Sequence, residues 1–167
     1  MDLSRFQSLD VVLVCGLPGS GKSHFAKTYF NRNDRKRINR KEIRRFLYEM
    51  TSFGDPWKEA YFNDHDEMLV KHVERKILEH LLQNKKKILI DNTSVTVDSR
   101  KSYVAIARQM NKSIGMVFLN TPLQKCHARN QHREDPLIAT IISNLYAGLK
   151  LPEKSEGYNE LLILSDY

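Results

Sequence analysis

Short, uninterrupted apolar runs alternate along the chain with stretches in which apolar residues recur every three or four positions. Val11-Val12-Leu13-Val14-Cys15 stops at Gly16, and Lys87-Ile88-Leu89-Ile90-Asp91 and Ile114 to Leu119 repeat the form. Runs that are apolar on both alternating faces suit strands covered on both sides, as in a parallel sheet. Between them, Leu69, Val73, Ile77, Leu78, Leu81 and Leu82 fall at helical spacing and predict one long helix. Further helices are expected over 22–31, 41–50, Ser99 to Met110, 123–132 and 137–149. A short strand fits around Arg37 to Asn39, and a last one over Leu161 to Leu164. Gly54, Asp55 and Pro56 mark a loop. This alternation predicts βαβ units around a mainly parallel sheet. Such sheets bind ligands beyond the carboxyl ends of their strands, so chemistry is expected near residues 16, 40, 92 and 120.

Composition narrows the class. A chain of 167 residues fits one domain over 1–167, and no repeat, low-complexity tract or linker divides it. Hydrophobic residues at 41% and charged residues at 28% exclude wholesale disorder. The apolar run from Val11 to Cys15 is too short for a signal peptide, and no stretch approaches the roughly 18 apolar residues of a membrane span. Cys15 and Cys126 form neither a metal spacing nor a disulfide framework, so a reducing cytoplasm is the expected compartment. The six histidines match no zinc spacing. Lys+Arg 27 against Asp+Glu 20 leaves a net charge of +7, which points to an anionic partner.

The first such partner is written in a motif. Gly16-Leu17-Pro18-Gly19-Ser20-Gly21-Lys22-Ser23 matches G-x-x-x-x-G-K-[ST], directly after a strand and before a helix. Gly16, Gly19 and Gly21 let the backbone turn and aim N–H groups at phosphates, with Pro18 and Ser20 in the same turn. The helix starting near Lys22 adds its positive dipole end. Lys22 is expected to reach the β- and γ-phosphates of ATP, and Ser23 to offer a hydroxyl to Mg²⁺. Asp91 ends an apolar strand where a carboxylate would hold the same ion. Arg129 and Arg133, four apart on an expected helix, share a face and would stabilise charge on a transferred phosphoryl group.

With these residues in place, the chain resembles the P-loop polynucleotide 5′-hydroxyl kinases, the kinase module of phage and bacterial end-healing enzymes, and the small P-loop kinases around them. Ile38-Asn39-Arg40 and Arg44 resemble the segment after the first helix of that family, and Asp91-Asn92-Thr93-Ser94 its D-x-T-N segment. Arg129-Asn130-x-x-Arg133 resembles its lid, and Ile142-Ser143-Asn144-Leu145-Tyr146 the helix beyond. The matches run in family order from about residue 10 to 152. The resemblance implies a three-layer α/β fold with a mainly parallel five-stranded sheet and a helical lid. It also implies transfer of the ATP γ-phosphate to a 5′-hydroxyl of DNA or RNA. Arg44 would contact the phosphate beside the acceptor, while Thr93 and Arg100 would line the acceptor side. Any phosphatase or ligase activity is expected in a separate partner.

One position departs from the family. Where it carries a proton-accepting aspartate, this sequence has Lys41, whose ammonium has three donors and no acceptor. Glu42 is the nearest carboxylate but points about 100° away on a helix, and Asp34 lies in the preceding loop. Three readings stay open: Glu42 serves as base, the acceptor is a small molecule or protein, or the chain binds nucleotide with little turnover. Residues 27–45 hold nine cations (Lys27, Arg32, Arg35, Lys36, Arg37, Arg40, Lys41, Arg44 and Arg45) against Asp34 and Glu42. That local excess equals the whole-chain value and suits a polynucleotide backbone; Tyr29, Phe30, Phe46, Tyr48, Phe53 and Trp57 nearby suit either base stacking or a core.

Overall fold

Each apolar run becomes a strand in the computed structural model, which describes residues 2–31, 35–131, 137–165 and 167. Val11–Gly16 (β1), Lys36–Ile38 (β2), Ile88–Asp91 (β3), Ile114–Asn120 (β4) and Glu160–Ser165 (β5) all pair in parallel, side by side as β2-β3-β1-β4-β5. The helices are Ser4–Ser8 (α1), Lys22–Phe30 (α2), Arg40–Thr51 (α3), Asp64–Gln83 (α4), Val97–Gln109 (α5), Leu123–Asn130 (α6) and Ile138–Ala147 (α7). Single 3-10 turns lie at Glu59–Tyr61 and Lys154–Glu156. Among the described residues no helix is long and apolar enough to cross a membrane.

The period-two geometry of a strand divides the core into two layers. Val12 and Val14 of β1 point to one face and pack with Phe25, Ala26 and Phe30 of α2 and with Phe6 of α1. Val11, Leu13 and Cys15 point to the other, against Leu78 and Leu82 of α4 and Tyr103, Val104 and Ala107 of α5. Helices on both faces are what a parallel sheet requires, and the expected three-layer architecture is observed. Both cysteines are free and buried. Burial pushes the Cys15 thiol up to about 12, so it serves as a small apolar filler.

Differences from the expected elements have local causes. The first short strand ends at Ile38 rather than Asn39, because Asn39 caps the next helix: its Oδ1 accepts from the Glu42 backbone N–H at 3.0 Å. The Asn39 side-chain amide donates to the Asp91 carbonyl at 2.6 Å, which ties the start of α3 to the end of β3. Asn63 and Thr96 cap α4 and α5 in the same way. The helix over 137–149 stops at Ala147, where the Gly148 N–H closes back on Asn144. Helix α1 is new, since five residues are too few to show a helical period.

Candidate active site

The phosphate loop joins β1 to α2 at the carboxyl end of the central strand. Gly19 has φ +83°, and a Cβ there would lie 2.1 Å from the Asn130 side-chain nitrogen and 2.6 Å from the Cys126 carbonyl. Only glycine fits, because α6 lies directly on the loop. Two further bonds set the loop's height: the Gly16 N–H to the Thr93 carbonyl at 3.1 Å, and the Thr121 hydroxyl to the Ser20 carbonyl at 3.0 Å. The Lys22 ammonium folds back to donate to the Leu17 carbonyl at 2.7 Å. The Ser20 hydroxyl is buried without a hydrogen-bond partner among the described residues, and Pro18 is half-buried. A glycine cradle, an ammonium and a helix N-terminus on one loop fit a nucleotide's phosphates.

Ser23, one residue into α2, donates its hydroxyl to Asp91 Oδ2 at 2.9 Å. Asp91 is 0% exposed, and its Oδ1 has no hydrogen-bond partner among the described residues. A buried carboxylate oxygen left open beside a serine hydroxyl is the hard-oxygen donor set of Mg²⁺, which takes few protein ligands and keeps several waters. The residues present therefore fit the ion. Asp91 Oδ2 also accepts from Arg37 Nε at 3.0 Å and Nη2 at 2.7 Å, while Arg37 Nη1 donates to Glu42 at 2.8 Å. Burial pulls the Arg37 guanidinium down, but its bonds to Glu42 and Asp91 outweigh that and hold it above its ordinary value.

The remaining expected site residues divide. Arg129 of α6 reaches the loop, with Nη1 on the Gly19 carbonyl at 3.3 Å and Nη2 on the Tyr167 carbonyl at 3.1 Å. Arg133, Arg32 and Asp34 lie outside the described residues. Thr93 is half-buried and contributes its carbonyl to the loop. Lys41 pairs with Glu59 at 2.5 Å. Arg44 pairs with Glu67 at 2.8 Å and stacks over Phe62 at 5.3 Å. Arg100 does not line the acceptor side. It is wholly buried, bound to both Glu156 oxygens at 2.8 and 2.7 Å and to the Lys150 carbonyl at 2.9 Å, so it clamps the chain's later loop onto α5.

Several cations of residues 27–45 are engaged within the protein itself. Arg35 is packed against backbone carbonyls, among them those of Phe6 and Leu9 at 2.8 Å each and Ile88 at 3.1 Å. Burial lowers its guanidinium to about 10. Arg40 forks onto buried Glu74 at 2.8 and 2.6 Å, where Asn92 and Tyr103 complete the bonding; Arg45 pairs with Glu49 at 2.7 Å. Arg37, Arg40, Lys41, Arg44 and Arg45 thus face carboxylates of the protein itself, whereas Arg35 is held by backbone carbonyls. Glu59, Glu67 and Glu74 escaped the sequence reading. A signal existed: Arg40 and Arg44 are one helical turn apart, and Glu67 and Glu74 are two turns apart on one face of α4. The aromatics split too. Phe30 is core, Tyr48 packs on both Trp57 (5.3 Å) and Tyr61 (5.2 Å), and Phe46 and Phe53 are exposed. A cavity of about 330 Å³ opens between α3, the loop before α4 and the start of α7, lined by Lys41, Arg45, Trp57, Lys58, Glu59 and Ile138.

A family model described as AAA domain matches residues 11–140. An L-seryl-tRNA(Sec) kinase of Methanococcus maripaludis is 25% identical over 85% of this chain, which spans 53% of that relative's length. Among solved structures, the Pnkp1/Rnl/Hen1 complex superposes with a TM-score of 0.59 at 22% identity, over 74% of this chain and 40% of that one. Kti12 of Chaetomium thermophilum, solved with ADP-AlF3, superposes with a TM-score of 0.68 at 16% identity, over 93% and 88%. The expected resemblance to the P-loop kinases is thereby borne out.

Proposed function

The chain belongs to the AAA domain family, and from that premise we propose that it is an ATP- and Mg²⁺-dependent kinase acting on the 5′-hydroxyl of a polynucleotide, DNA or RNA. The observation that carries the transferase reading is the meeting of the phosphate loop, the Ser23–Asp91 pair and Arg129 at one end of the sheet. Kinship with a kinase named for a seryl-tRNA supports an acceptor hydroxyl carried on nucleic acid.

Backbone N–H groups of the loop and the Lys22 ammonium would hold the donor's phosphates, and Ser23 with Asp91 would hold the metal. ATP supplies the phosphoryl group, and Mg²⁺ neutralises part of its charge. Arg129 would exchange the Gly19 carbonyl for the transferred group, where a guanidinium stabilises developing charge. Glu42 would accept the proton of the attacking hydroxyl: it is exposed, and the Arg37 bridge holds it beside the metal carboxylate. The cavity next to Lys41 and Trp57 would seat the acceptor's terminal nucleotide.

The test is incubation with γ-labelled ATP, Mg²⁺ and 5′-hydroxyl oligonucleotides, DNA and RNA in parallel. Label on the oligonucleotide that disappears in Lys22→Ala supports the reading. ATP binding without any transfer to an oligonucleotide overturns it. A second reading, a small-molecule acceptor, draws support from the internal pairing of the α3 cations, which leaves less charge for a long polyanion. Transfer to a small alcohol in the same assay, with none to oligonucleotides, would favour it.

A further inference from the structure

Arg37 stands on the edge strand β2, and its guanidinium joins two carboxylates from different elements. Nε and Nη2 fork onto Asp91 Oδ2 at 3.0 and 2.7 Å, and Nη1 reaches Glu42 at 2.8 Å. With the Ser23 hydroxyl on the same Oδ2, that oxygen takes three donors among the described residues while Oδ1 takes none of them. Arg37 therefore fixes which carboxylate oxygen stays open. It also neutralises charge where a divalent cation would need it. Asp91 and Glu42 bring two negative charges and Arg37 one positive, so removing the cation changes this local sum from −1 to −2.

We propose that Arg37 is a positioning residue that sets the metal affinity of Asp91 and holds Glu42 next to it. The inference rests on Asp91 as the metal carboxylate and on Glu42 as the proton acceptor. Its two halves predict effects of opposite sign. Loss of the positive charge strengthens metal binding, because like charges a few ångströms apart repel strongly in a partly buried site. Loss of the bridge frees Glu42 and slows turnover. A guanidinium that merely completed a surface ion pair would give neither effect.

Two variants separate charge from geometry. Arg37→Met removes both, whereas Arg37→Lys keeps the charge but cannot fork onto Asp91 and reach Glu42 together. Mn²⁺ binding to the nucleotide-free protein, read from the free-ion EPR signal, should tighten at least about fivefold in Arg37→Met and stay near wild type in Arg37→Lys. In the oligonucleotide assay, kcat should fall about tenfold or more in both variants, with the Mg²⁺ midpoint lowered only in Arg37→Met. Equal or weaker Mn²⁺ binding by Arg37→Met overturns the proposal for the metal. A full kcat in Arg37→Lys overturns it for Glu42. The Mn²⁺ measurement needs no acceptor, so failure of the polynucleotide assignment would show separately, as intact metal behaviour without transfer to oligonucleotides.

Discussion

The two ends of the candidate site are built on different principles. On the proposed donor side, a contiguous run from Gly16 to Ser23 makes the cradle from its own backbone, and Thr93, Thr121 and Asn130 bond to the loop or pack on it. On the proposed acceptor side, most cations of α3 are matched by a carboxylate from elsewhere: Arg40 by Glu74, Lys41 by Glu59, Arg44 by Glu67. Conformation makes the first site and pairing makes the second. A short motif can specify a backbone conformation, but a charge count says nothing about partners 18 to 34 residues away.

The largest effects are expected where conformation rules. Gly19→Ala places a methyl against Asn130 and the Cys126 carbonyl at a left-handed φ, so the loop must shift and nucleotide binding should be lost. Titration with a fluorescent ATP analogue checks this; ordinary affinity would mean that α6 can move off the loop. Lys22→Ala keeps the backbone and removes the ammonium. Transfer should fall about 10²–10³-fold, as when a preorganised charge donor is removed.

Next come two buried pairs, one holding α3 to α4 and one clamping the later loop onto α5. Arg40→Met leaves Glu74, almost wholly buried, without its cation, which should cost about 3–5 kcal/mol in urea unfolding. Arg100→Met similarly strands Glu156 and should cost about 3 kcal/mol. These two sharpen the contrast between anchoring and substrate contact. At a temperature where both variants are folded, Arg100→Met should keep the KM for an oligonucleotide. A KM raised tenfold would return Arg100 to the acceptor side, from which its burial removes it.

The same contrast explains how far the sequence could be read. Doubly apolar runs gave three of the five strands and the sheet's parallel sense, because burial on both faces leaves a local imprint. Asn39 reads as a strand end because capping depends on a bond from the Glu42 N–H, which spacing alone does not reveal. The phosphate loop, Ser23 and Asp91 were legible through fixed spacing and strand position. In the sequence Arg37 is one charge among nine, since its bonds to Asp91 depend on β2 lying next to β3 in the sheet. Arg100 reads as a site residue through its neighbour Thr93, but Glu156, 56 residues on, decides where its guanidinium goes.

The smallest expected effect concerns Lys41. Replacing it by aspartate, the residue of the resembling family, sets a second carboxylate against Glu59 instead of restoring a site. Lys41→Asp alone should therefore lower stability by about 0.2–1 kcal/mol, the usual worth of an exposed ion pair, plus a small repulsion. Lys41→Asp with Glu59→Lys reverses the pair, and a double-mutant cycle should return a coupling of the same size. Activity tells more than stability here. If Glu42 accepts the proton, the reversed pair should leave kcat for an oligonucleotide nearly unchanged, because the base is elsewhere. A rise approaching the roughly 10²–10⁴-fold that a general base supplies would instead place the proton acceptor at position 41 and make Lys41 the cause of a slowed enzyme.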